Sequence, residues 1–442
     1  LKITCDNGIT AGAQIELAKK HGVKTVILDH HEPPFEEKDG VKHDILPDAD
    51  AVVDAKIQNC GYEFTQMCAG GLCYRFICGL YSFLGKKLDN KDELCELAAV
   101  ATICDVVDLT GENRAIASRG LEIINHGSNN LGLKTLIELK ELKSINSYSV
   151  GFVIGPCINA SGRLDSAKIA VELFVTGSTK RARELAVMLN DFNEERKAIT
   201  QECLERIAEN IEKSSIVNDK IIVVYDKDTH ESVAGIIAGR LRERYGRPSI
   251  VLTKAERGAK GSGRSVESYD MFKGLYEVKN LMTKFGGHTM AAGLSIDEEN
   301  IDKLRKKLNE NCSLSLEDMS PVLRMEAVLD LEDVSVESAE ELNILAPFGK
   351  ANEKPLYGIK NVTAENIRFV GKDKNIVSCV LDNGERRVRA VDFDNYEIWR
   401  EALDKEGQTI ESVNVDAVFA LEVNEYNGYR NPQLVIKDIR VK

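Results

Sequence analysis

The strongest constraint on the fold is a set of short apolar runs, each closed by an aspartate and separated by stretches of helical spacing. Ile3-Thr4-Cys5 ends at Asp6, Thr25-Val26-Ile27-Leu28 at Asp29 and Ala51-Val52-Val53 at Asp54. A longer apolar stretch, 94–104, ends at Asp105. Between the first two runs, residues 9–21 carry a helical pattern with Ile15, Leu17 and Ala18 among its apolar positions. Strands alternating with helices argue for an α/β domain with a parallel sheet and helices on its faces. Ligands of such sheets bind beyond the carboxyl ends of the strands. Asp6, Asp29 and Asp105 are therefore expected to meet there as strand-terminal carboxylates.

Further along, 68–84 reads as a mostly apolar and hence buried helix, and 112–148 as helical with a loop at Gly127-Ser128-Asn129-Asn130. Over 179–214, Leu185, Leu189, Phe192, Ile199, Leu204, Ile207 and Ile211 repeat at helical spacing without an internal Gly or Pro, which predicts one long connecting helix. A second α/β pattern opens at Ile221 to Tyr225. It continues through a helix at 233–245, a strand at 249–253, a Gly-rich stretch at 258–263, Gly286-Gly287-His288 and a helix at 299–309. The tail holds short runs at 376–381, 388–391, 415–422 and 433–439, with turn signals such as Asn427-Gly428 between them, and predicts a small β-barrel. The 442 residues thus divide into a first α/β domain at 1–178, a connecting helix at 179–215, a second α/β domain at 216–318 and a barrel at 319–442.

Composition narrows the function classes. No apolar run approaches the roughly 20 residues of a membrane span. A net charge of −13 argues against a protein that coats nucleic acid or membrane with its whole surface. Eleven scattered cysteines without a C-x-x-C pair suit buried, reduced thiols in a cytoplasm rather than a disulfide framework. The chain opens on Leu1-Lys2 with no visible signal peptide, and is read as a fragment whose upstream part is missing.

Two adjacent histidines, His30 and His31, follow Asp29. Histidines are poor turn formers, and burying both without a metal or acid partner is costly. Carboxylates and imidazoles gathered at Asp6, Asp29, His30, His31 and Asp105 make an O/N donor set that suits Mn2+ or Mg2+, with no thiolate to favour zinc. Arg163, Ser262, Arg264 and His288 offer phosphate contacts: Arg as a planar fork, Ser262 and Arg264 in a Gly-rich loop, His288 after a Gly-Gly pair. Between 240 and 264, eight basic residues stand against two glutamates, a local balance of +6. Tyr426 and Tyr429 are candidate stacking surfaces for single strands, with hairpin or core packing as the alternative, and Arg386, Arg387 and Arg389 candidate backbone contacts.

Val26-Ile27-Leu28-Asp29-His30-His31 resembles the DHH signature of the DHH phosphoesterase superfamily. Cys5-Asp6-Asn7-Gly8-Ile9-Thr10 is similar to the second motif of that superfamily, and 99–107 to its fourth. Gly155 to Leu164 resembles a stretch typical of the RecJ-type single-strand-specific exonucleases, Gly261 to Ser265 and Gly286-Gly287-His288 a DHHA1-type domain, and Pro347-Phe348-Gly349 with 427–434 an OB-like barrel. The resemblance implies a metal-dependent 5′-to-3′ exonuclease on single-stranded DNA in repair and recombination, acting without a membrane as a monomer beside a single-strand-binding protein or helicase. It assigns Asp6 as a bridging carboxylate, His30 and Asp105 as ligands, and His31 as a ligand or phosphate donor. The resemblance implies that Asp29 stands behind an imidazole and orients it. Asn159, Arg163, Ser262, Arg264 and His288 bind the strand end. The first motif of the superfamily, an aspartate pair, is expected upstream of Asp6, so the two-metal centre belongs to the intact protein and the chain alone is expected to hold one metal weakly or to be inactive. A phosphoesterase for short oligonucleotides and a catalytically incomplete DNA-binding fragment are the alternatives.

Overall fold

A computed structural model describes residues 1–315, 317–319, 322–405, 408–409 and 412–442. The chain divides into two compact units: Leu1–Asn129 with Leu142–Phe152 and Leu323–Lys442, and Asn130–Glu141 with Val153–Val322.

The first unit opens on β1 (Lys2–Cys5), α1 (Gly12–Lys20) and β2 (Thr25–Leu28), followed by the hairpin β3 (Phe35–Lys38) and β4 (Val41–Asp44) and by β5 (Ala51–Val53). β1, β2 and β5 form a three-stranded parallel sheet with β2 in the middle, Cys5 opposite Leu28 and Leu28 opposite Val53. That register places Asp6, Asp29 and Asp54 side by side just past the three strand ends. The helices α2 (Ala69–Phe83), α3 (Lys91–Cys104) and α4 (Gly111–Asn125) follow. The expectation for α2 is only half met: Ala69 and Gly71 are buried, but Leu80 and Phe83 are exposed. In the second unit stands α5 (Leu131–Leu139), and back in the first the single turn α6 (Ser147–Ser149), capped by Asn146. A π-turn at Val150–Ile154 leads into α7 (Gly155–Leu164).

The second unit continues with α8 (Lys168–Val175) and the 34-residue α9 (Thr179–Glu212). The apolar stripe of α9, including Leu185, Leu189, Ile207 and Ile211, is buried, as its spacing dictates. β6 (Ile222–Tyr225), α10 (Glu231–Tyr245), β7 (Ser249–Lys254), β8 (Ala259–Arg264), α11 (Met271–Glu277), β9 (Lys284–His288), β10 (Ala291–Ile296) and α12 (Ile301–Asn311) complete it. The sheet order is β6-β7-β8-β10-β9; only the β6–β7 pair is parallel.

The first unit ends in the barrel. After β11 (Ala327–Val328) and α13 (Val336–Glu341) come β12 (Tyr357–Val370), β13 (Ile376–Asp382), β14 (Arg387–Asp392), α14 (Tyr396–Leu403), the short pair β15 (Asp404–Lys405) and β16 (Gln408–Thr409), β17 (Ser412–Tyr426) and β18 (Tyr429–Val441). β12, β13, β14, β18 and β17 pair in sequence, and β17 returns to β12, closing five strands. Inward positions alternate along β13 and β14, with Val377, Cys379, Leu381, Val388 and Ala390 inside. Trp399 anchors this core and donates its indole N–H to Asp392 at 2.9 Å. β12, the first barrel strand, has no counterpart among the sequence-predicted runs, because its polar Lys360, Asn361, Glu365 and Asn366 break the alternation.

Candidate functional site

The turn after β1 is built around three residues. Asp6 takes φ 60°, a left-handed conformation that Asp tolerates, and Gly8 takes φ 131°. A Cβ on Gly8 would lie 2.9 Å from Ile27 Cγ2 in the buried face of β2, so only glycine lets the turn fold against the sheet. The turn is then tied to Asp29, whose Oδ2 accepts the Ile9 N–H at 2.9 Å.

Asp29 is 1 % exposed. Its Oδ1 accepts the N–H of His30 at 2.8 Å and of His31 at 3.4 Å, and the His31 Nδ1–H at 2.8 Å. Burial raises the pKa of this carboxyl, but the bonds from Ile9, His31 and His30 outweigh it and hold the group below its ordinary value. A carboxylate only accepts, so Nδ1 of His31 carries a proton, and Nε2 is the ring nitrogen left for the cluster.

Asp6, His30 and His31 bring one donor atom each within 4.8 Å of one another. His30 Nε2 lies 3.0 Å from Asp6 Oδ1 and 3.7 Å from Asp105 Oδ2, and the two imidazole rings stand 4.7 Å apart. Partial burial pushes the Asp105 carboxyl up, with His30 opposing and Asp6 adding to the rise. Two carboxylates and two imidazoles converging on one half-open spot fit a hard divalent cation with O/N ligands. The metal thus accords with the residues present.

The sequence reading placed Asp105 at the end of a strand, and the structure corrects this. Asp105 caps the C-terminus of α3, a helix rich in Leu and Ala with Asp92 and Glu93 in its first turn. A buried helix and a buried strand both read as apolar runs, and the 14-residue length here belongs to the helix. The next residue, Val106, is β-branched yet sits at φ 56°, a strained conformation beside the cluster.

One residue of this site was seen as a strand end but given no role. Asp54, 4 % exposed, accepts the Lys56 N–H through Oδ1 at 2.8 Å, while its Oδ2 has no hydrogen-bond partner among the described residues. Burial raises its carboxyl, and the charge of Asp29 adds to that. The available signal was the repetition itself: all three parallel strands end in Asp.

In the second unit, the phosphate candidates gather around α10. Arg163, exposed near the end of α7, donates to the Ser232 carbonyl in the first turn of α10 at 2.7 Å; Asn159 is exposed one turn earlier. Arg264 donates to Ser262 Oγ at 2.9 Å and to the Gly263 carbonyl at 2.8 Å. A Cβ on Gly235 would lie 2.8 Å from Arg264 Nη2 and 3.0 Å from Ser262 Oγ, so the absence of a side chain there lets both pack over the helix. Ser262 and Arg264 were expected in a Gly-rich loop; they lie in strand β8 instead. Gly261 and Gly263 serve close packing, against Leu252 and Met271 respectively. Arg264 and His288 both stand opposite Ala291, in register on the two strands that flank β10, and hence on one face of the sheet. His288 is exposed at the end of β9.

Burial lowers the guanidinium pKa of Arg264, and the like charges of Arg242 and Arg163 lower it further. Arg196 on α9 is lowered in the same way by burial and by Arg163 and Arg240, and its Nε is buried without a partner among the described residues. This concentration of cations suits an anion. Arg196 was missed because a lone Arg in a long charged helix gives no pattern. Several charges of the basic window are already paired: Arg244 with Glu212, Lys260 with Glu231, and Arg247 with the carbonyls of Val217 and Asp219. In the barrel, Arg386 binds the Glu332 and Val334 carbonyls and Arg387 pairs with Glu365, while Tyr426 and Tyr429 stand exposed across a hairpin tip, which excludes core packing.

Three family models match the chain in order: the DHH family N-terminal domain at 1–102, the DHHA1 domain at 218–314 and the RecJ OB domain at 325–438. The single-stranded-DNA-specific exonuclease RecJ of Bacillus subtilis is 36 % identical over the whole chain, which covers 54 % of that protein. The RecJ of Salmonella typhimurium is 30 % identical over 99 % of this chain and 77 % of its own length. The chain belongs to the RecJ family. It spans about half the length of the Bacillus relative. The crystal structure of Thermus thermophilus RecJ with Mn2+ superposes with a TM-score of 0.81 at 25 % identity, covering 99 % of this chain and 61 % of that one. The same RecJ has been solved with Mg2+, with a TM-score of 0.75 at 22 % identity over 99 % of this chain and 67 % of that one. Among the described residues no helix is long and apolar enough to cross a membrane, and the cysteines are free.

Proposed function

We propose that the protein is a metal-dependent hydrolase that removes nucleotides from the 5′ end of single-stranded DNA, in repair and recombination. The observation that carries this reading is the convergence of Asp6, His30 and His31, with Asp105 beside them, at the carboxyl ends of a parallel sheet in a RecJ chain. When bound, Mn2+ or Mg2+ supplies Lewis-acid activation of the phosphodiester and of the attacking water. Asp6, His30 and Asp105 would hold the ion. Asp29 holds the Nδ1–H of His31, which leaves Nε2 as the atom that ligates or contacts a phosphate oxygen. Arg163, Arg264, Ser262, Asn159 and His288 grip the phosphate of the strand end, the guanidiniums by their forked geometry. The barrel holds the trailing strand, with Tyr426 and Tyr429 as stacking surfaces.

The protein works as a monomer in the cytoplasm, beside a single-strand-binding protein or helicase that exposes its substrate. Free cysteines support that setting. The barrel favours long strands over the short oligonucleotides of a simpler phosphoesterase. The test is cleavage of a 3′-labelled, 5′-phosphorylated single strand by the whole protein with Mn2+, against a duplex and a trinucleotide. Release of mononucleotides from the 5′ end of the long strand, lost in Asp6→Ala with the fold retained, is expected. Equal turnover in excess chelator, or turnover of the trinucleotide alone, would refute it.

A further inference from the structure

Tyr148 and Phe152 are 67 % and 70 % exposed, yet their rings stack on one another with centroids 4.9 Å apart and planes 27° apart. Two large aromatic faces turned outward have no packing role to explain them. Both line a cavity of about 1050 Å³ in the first unit. Cys104 and Val106, the chain neighbours of Asp105, line it too, while the side chains of the candidate metal cluster do not. Pro347 and Phe348 line it as well. The wall is tied down: Ser147 donates to the Phe348 carbonyl, and the Leu109 N–H to the Lys350 carbonyl at 2.8 Å. The cations of the cavity are neutralised, Lys350 by Asp108 at 3.0 Å and Lys354 by Glu422 at 2.6 Å. An aromatic cavity with paired charges suits the uncharged, flat part of a nucleotide better than its phosphate.

The geometry points to Tyr148 and Phe152 as a platform in this cavity on which a nucleobase of the single strand stacks, an inference that rests on the DNA reading above. Every base has a π-face, so this contact positions the strand without reading sequence. Tyr148 and Phe152 are positioning residues; neither touches the metal.

The experiment uses the full chain without divalent metal and single-stranded oligonucleotides carrying 2-aminopurine at successive positions. One position is expected to be quenched in the wild type. Phe152→Ala and Tyr148→Ala should relieve that quenching and weaken binding by about 5- to 100-fold each, with Tyr148→Phe close to wild type. The slope of affinity against salt should not change, since no phosphate contact is removed. An abasic nucleotide at the quenched position should bind the wild type and Phe152→Ala equally, and should cost the wild type the same factor, an arm that needs no variant to fold. If the wild type binds strands tightly but quenches no position, or if the abasic strand binds it undiminished, the platform is wrong and the DNA reading stands. If the wild type binds no single strand at all, the DNA reading itself falls and the platform with it.

Discussion

Replacing Asp29 by asparagine changes one atom of a buried turn, and its cost follows from the bonds that atom makes. Oδ1 accepts three donors, the two amides of His30 and His31 and the His31 ring, while Oδ2 accepts the Ile9 amide alone. The asparagine carbonyl is best used at the Oδ1 position, which turns its NH2 toward the Ile9 N–H. Ile9 is buried, so its amide loses its acceptor and has no access to water. An unsatisfied buried donor costs about 1–3 kcal/mol, and the remaining bonds weaken by roughly half when the acceptor is no longer charged. A total of about 2–4 kcal/mol is expected. Urea unfolding should show a lower midpoint with an unchanged slope, and hydrogen exchange should show the Ile9 amide losing its protection. A midpoint within about 0.5 kcal/mol of the wild type, the size of an ordinary surface substitution, together with unchanged exchange at Ile9, would refute the reasoning.

Three other outcomes follow from the same geometry. Gly235→Ala should leave the second unit as stable or up to about 1 kcal/mol more stable, since alanine is the better helix former, yet weaken binding of a 5′-phosphorylated strand by displacing Arg264 and Ser262; calorimetry and a binding titration read the two effects apart. Val106→Asn should stabilise the first unit by about 1 kcal/mol in chemical denaturation by relieving the β-branched left-handed conformation. Burial raises the Asp226 carboxyl, but the Arg206 guanidinium at 2.6 Å and Thr229 outweigh it and hold the carboxyl below its ordinary value. The stability this gives is fully present above the unfolded value of about 3.9 and is lost as pH falls through the lower folded value, so Arg206→Met should flatten the acid limb of a stability–pH profile.

The parallel strands were legible because short apolar runs closed by turn residues admit few other readings. The long helix 179–212 was legible for a similar reason: its stripe repeats without a breaker over many turns. Asp105 was harder. Its preceding run is buried, and burial removes the polar positions that distinguish a period of 3.6 from a period of 2. Ser262 and Arg264 were misplaced because glycines in a strand look like glycines in a loop until the packing of Leu252 and Met271 against them is known. β12 was overlooked because a bulged strand loses its alternation.

The sequence alone determined the donor chemistry of this protein: carboxylates and imidazoles at strand ends, and guanidiniums near glycines, since residue types and local spacing are one-dimensional facts. The tertiary structure alone decided which of them meet. Asp54 joins Asp29 through strand pairing, Arg196 reaches Arg163 across packed helices, and Asp105 reaches His30 from a helix rather than a strand. Each of those meetings spans tens of residues of chain, and only the closure of the sheet and the burial of its neighbours fixes such distances.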